Sequence, residues 1–134
     1  METKPKSVVL TARQLPVGKA AHQGDLVLVR IAGVPVGSTV RDNLQLAEGS
    51  DQGSRHVLAH GRAFNAPGAA AAIEAATGVK VEPAYVGPVV EAVDGELVIT
   101  HPEHADHEYY GPIVLAVVFQ RVLDAEERAQ RVRD

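Results

Sequence analysis

The sequence predicts a mainly β domain, a small barrel or sandwich with one internal helix and a short C-terminal helix. Three observations point there. Apolar residues make up 46% of the chain but aromatics only 4%, and the apolar share is rich in Val, Ala and Leu; β-branched residues fit pleated, half-buried strands. Short extended patterns recur between Gly-, Pro- and Asp-containing turns. Helix signals are confined to one alanine-rich stretch and the C-terminus. The 134 residues suit one core, so 1–134 is read as a single domain.

Taken in order, Met1 to Lys6 reads as a frayed tail. Ser7 to Thr11 is a short strand. Arg13 to Gly24, with Pro16 and two glycines, reads as a loop. Asp25 to Ala32 is a central strand, because Leu26 and Leu28 occupy one face while Val27, Val29 and Ile31 occupy the other. Gly33 to Ser38 is a turn, and Val40 to Ala47 a weaker strand. Glu48 to Ser54 is a polar loop. Arg55 to His60 is extended again, and spacing places His56, Leu58 and His60 on one side.

Asn65-Ala66-Pro67-Gly68 opens a helix, with Asn65 as cap and Pro67 in the first turn. Gly78 is placed to end it. Tyr85 to Val93 is a strand interrupted by Gly87-Pro88. Asp94-Gly95 is a hairpin signal joining Val89–Val93 to Glu96–Thr100. After a histidine-rich loop closed by Gly111-Pro112, Ile113 to Val122 forms a long apolar strand. Asp124 and Glu127 have capping-box spacing for a helix over 124–132, with carboxylates first and arginines last, as the helix dipole favours.

The totals exclude several functions. The formal charge of −4, with no basic block and few rings for base stacking, disfavours nucleic acid. No cysteine is present, which removes disulfides, thiolate ligands and a Cys nucleophile. No apolar run approaches membrane-spanning length, and no signal-peptide core follows the first residues, so a soluble cytoplasmic protein is expected. Ser50, Ser54, His56 and Asp51 are triad-like by type but too close in sequence, and there is no G-x-S-x-G elbow.

The chemistry concentrates in Thr100 to Glu108, which holds three of the six histidines and three carboxylates. Imidazole ligates Zn, Ni, Cu and non-haem Fe, and a site needs three or four converging donors. His101 and His104 flank a stiffening Pro102, and His56 or His60 can supply a third donor from the other segment. Glu103, Asp106, His107 or Glu108 could complete the set or orient a ring from behind. The candidate metal ligands are thus His56, His101 and His104, with His60, His107 and Glu103 as alternates. The competing reading of the same cluster is a pH-sensitive patch without metal.

Several pieces together resemble a family of small, uncharacterised bacterial and phage-associated proteins. In that family a QGDVLL strand precedes EGEVTGHxH, HxEHGPI and QREY segments. Here the pieces are Gln23-Gly24-Asp25-Leu26-Val27-Leu28-Val29, then Glu48 to His56, then His101-Pro102-Glu103-His104 with Gly111-Pro112-Ile113, then Gln120-Arg121-Val122-Leu123-Asp124. The resemblance implies that His56, His101, Glu103 and His104 belong to one feature. It also shows Ser54 standing where the family has its first histidine. Either His60 or His107 replaces that ligand, or the site is degenerate.

The expected function is a domain, non-catalytic or of unknown activity, with a histidine-held divalent metal such as Zn, structural rather than catalytic in role. The alternative is an assembly module without metal, a phage particle component or a subunit of a larger complex. Either would act through self-association or a protein partner.

Overall fold

Valine- and leucine-rich segments pair into two sheets in the computed structural model, which describes residues 4, 6–47 and 56–119. The expected tail, the loop 48–54 with Ser54, and the C-terminal helix 124–132 lie wholly or partly outside those residues. The strands are β1 (Val8–Thr11), β2 (Ala20–Gln23), β3 (Leu26–Ile31), β4 (Thr39–Arg41), β5 (Val57–His60), β6 (Arg62–Asn65), β7 (Val86–Glu91), β8 (Glu96–Thr100), β9 (His107–Tyr110) and β10 (Val114–Phe119). One sheet has the order β1-β9-β8-β5, the other β2-β3-β10-β7-β6-β4. The arrangement is sandwich-like, and the described strands do not close a barrel.

The core lies between the sheets. Leu26, Leu28, Leu58, Leu97, Ile99, Leu115, Val117 and Tyr109 form one buried cluster. β10 is central to the larger sheet, antiparallel to both β3 and β7. That position explains its unbroken apolar sequence, since both faces are covered. Its outer face, with Val29, Ile31 and Val89, packs against Ile73 and Ala69 of the helix α1 (Ala69–Thr77).

The helix starts later than the sequence suggests. Gly68 is its N-cap and makes no side-chain capping bond, while Asn65 closes β6. Its end is as expected, at Gly78 in the left-handed conformation, whose N–H donates to Glu74 O.

Two other expectations are corrected. Residues 20–23 are β2, not loop; they pair antiparallel with β3, Gln23 opposite Leu26, across the Gly24-Asp25 turn. Alanine and glutamine have weak strand preference, so here tertiary pairing overrides propensity. Asp94-Gly95 does make a tight turn, with Val93 bridged to Glu96. The strands it joins then part, β7 to one sheet and β8 to the other. They form a corner between layers rather than an extended hairpin.

A second corner is made by β5 and β6, which bend at Gly61 (φ 134°) from one sheet into the other. Their partner segment follows: β4 pairs with β6, while Gln45 bridges to Val57 and Leu58 N–H donates to Leu44 O. Arg30 fastens the far end, donating to Ala12 O (2.7 Å), Leu15 O (2.8 Å) and Pro112 O (3.2 Å). No helix among the described residues is long and apolar enough to cross a membrane.

Candidate functional site

At one end of the sandwich three backbone segments meet: the β2–β3 turn, the entry to β5, and the loop 101–106 between β8 and β9. Gln23 ties them together. Its amide nitrogen donates to Ile99 O (3.1 Å) and Ala105 O (2.8 Å), reaching from one sheet to the other. Only 1% of Gln23 is exposed, so these bonds also satisfy a polar group that would otherwise be costly to bury. With the nitrogen committed to two carbonyls, the Gln23 oxygen must face His56, and it lies 2.9 Å from Nδ1.

His56 is fully buried, and its other nitrogen, Nε2, is 3.1 Å from Asp25 Oδ1. The His56 and His101 ring centroids are 4.6 Å apart, those of His101 and His104 4.4 Å. His101, also buried, accepts from the backbone N–H groups of Glu103 (3.0 Å) and His104 (3.1 Å) at Nδ1. Those bonds curl the loop. The His104 ring lies over Gly24, where an added methyl group would force the ring to move.

Burial lowers the pKa of His56, and the Asp25 carboxylate recovers only part of the loss. Burial likewise lowers His101, helped by like-charge repulsion from His56 and His104. The same logic lowers both: desolvation outweighs the nearby carboxylates.

The alternates lie elsewhere. His60 follows a register shift between Leu58 and His60, and its Nε2 bonds Val93 O at 3.0 Å. His107 is buried in β9, with Nδ1 2.7 Å from the Tyr109 hydroxyl. Burial drives the His107 pKa down to about 4 and raises that of Tyr109. The Glu103 backbone N–H bonds His101. Asp106 pairs with Lys4. Among the described residues, no group of three or more His, Cys, Asp or Glu side chains is placed to hold a metal ion.

Two residues of the site escaped the sequence reading, Gln23 and Asp25. The Gly24-Asp25 dipeptide just before the apolar run of β3 was the signal that could have found them, because such a pair can form a two-residue hairpin turn. That turn faces the histidine loop.

The fold and site together define a two-sheet β protein with a histidine cluster at one end, His56 and His101 buried and His104 exposed. The chain belongs to the family described as a domain of unknown function, DUF8820, whose profile matches residues 22–110. That span begins just before Gln23 and ends with β9, so it contains every member of the cluster. No curated protein and no solved structure matches the chain.

Proposed function

We propose that this domain is non-catalytic and that its histidine cluster seats one divalent transition-metal ion, zinc being the best match to imidazole and carboxylate donors. The supporting observation is the gathering of His56, His101 and His104 from two distant segments, with ring centroids 4.6 and 4.4 Å apart and Asp25 alongside. Donor atoms 3.1 Å apart, as in the His56–Asp25 pair, can share one ion at ordinary bond lengths of about 2.0–2.2 Å. In this reading the ion draws the His104 ring toward the pair. It then ties the β2–β3 turn, the β5 entry and the 101–106 loop together, which is a structural role.

The test uses protein purified without a histidine tag. After chelation, added zinc should raise the melting temperature by roughly 5–10 °C at a hundredfold excess over Kd. A melting temperature indifferent to both chelator and zinc overturns the reading.

A second reading, self-association, is favoured by the sheet edge at β4. Val40 is 63% exposed there, and Val36 in the preceding turn 99%. Light scattering at increasing concentration should then show a defined oligomer, and a monomer throughout would dismiss it.

A further inference from the structure

Resting on the metal-seat reading, we infer that Gln23 is a positioning residue that sets the polarity of His56, so that its Nε2 lone pair and Asp25 Oδ1 face one cation seat. The reasoning starts from the amide. Gln23 Nε2 is fixed by two carbonyls, Ile99 O and Ala105 O. Turning the amide over would aim its oxygen at both of them and lose two hydrogen bonds in a buried site. The oxygen therefore stays on His56, and an oxygen only accepts. His56 must carry its proton on Nδ1 and donate it across the 2.9 Å contact.

A neutral imidazole with Nδ1–H has a bare lone pair on Nε2. That lone pair lies 3.1 Å from a carboxylate oxygen, another acceptor. In the metal-seat reading the ion lies between these two acceptors and satisfies both. An imidazole held from behind through its second nitrogen is also the usual condition of a metal-ligating histidine.

His101 has the opposite polarity. Its Nδ1 accepts from two backbone amides, so in the neutral ring the proton is on Nε2. It has no lone pair to offer the seat. Its task is to hold the loop that presents His104. Of the two buried rings in contact, only His56 can be a ligand as placed, and Asp25 becomes its partner.

Long-range proton–nitrogen correlation spectra of uniformly 15N-labelled, metal-free protein at pH 8 read both tautomers directly. His56 should be protonated on Nδ1 and His101 on Nε2. In Gln23→Leu, His56 should become a tautomer mixture, and zinc affinity should fall at least tenfold. His56 protonated on Nε2 in the wild type overturns the inference, as does Gln23→Leu that leaves tautomer and affinity unchanged. The wild-type spectrum decides even if the variant does not fold. Correct tautomers in a protein that binds no zinc would support the positioning role and sink the metal-seat reading alone.

Discussion

A side chain at position 24 would collide with the His104 ring, since a Cβ there falls 2.6 Å from its Cδ2 and Nε2. The backbone at that turn also has φ +58°, a conformation that favours glycine. Gly24→Ala should therefore cost about 1–2 kcal/mol and push His104 off the turn. Zinc titration of the folded variant should show affinity reduced about tenfold or more. Wild-type affinity would show that His104 does not serve the seat. The buried His107–Tyr109 pair is a different case. His107 is neutral in the fold because burial holds its pKa near 4, against 6.5 when exposed. A depressed imidazole pKa means the unfolded chain binds the extra proton. Stability from this group is complete above pH 6.5 and is lost as pH falls toward 4, by about 3 kcal/mol in all. His56 and His101 act in the same direction. Denaturant midpoints between pH 8 and 4 should fall accordingly. In His107→Phe/Tyr109→Phe the fall should be shallower, because the double change removes a buried base together with its partner.

The corner where β5 becomes β6 is the element on which the site's geometry depends. Gly61 makes it with φ +134°, and a Cβ there would lie 2.9 Å from Glu91 O. Gly61→Ala should cost about 2 kcal/mol, combining backbone strain with a backbone clash. Gly33→Ala, where the space is open and the backbone ordinary, should be neutral or slightly stabilising. Chemical denaturation of the pair measures the contrast; equal effects would contradict the role given to the corner. Elements defined by local physics were legible in the sequence. The central strands β3 and β10 announced themselves by apolar faces on both sides, and α1 ended at the glycine its composition indicated. Elements made by partners were not. β2 has little strand preference of its own and exists because β3 pairs with it. β9 was hidden in a run of polar residues, yet its alternate members His107 and Tyr109 are buried. The Asp94-Gly95 turn was legible as a turn, but nothing local says that its two arms part into different sheets.

Across the whole molecule, the sandwich converts separation along the chain into proximity. Gln23, His56 and Ala105 belong to three segments, yet the Gln23 amide bonds both of the others. The histidines were legible as a group because their residue type and clustering point to ligands. The residues that orient them were not, since a glutamine and an aspartate in a turn carry no such signature. The same geometry keeps His60 and His107 apart from the cluster: each is committed to another partner. The most direct measurement of the metal-seat proposal is anomalous diffraction at the zinc edge from crystals grown with zinc. One peak should lie about 2.0–2.2 Å from both His56 Nε2 and Asp25 Oδ1, with the His104 ring turned toward it. A zinc-saturated crystal with no peak there, or with peaks only at surface residues such as His22, would contradict the account.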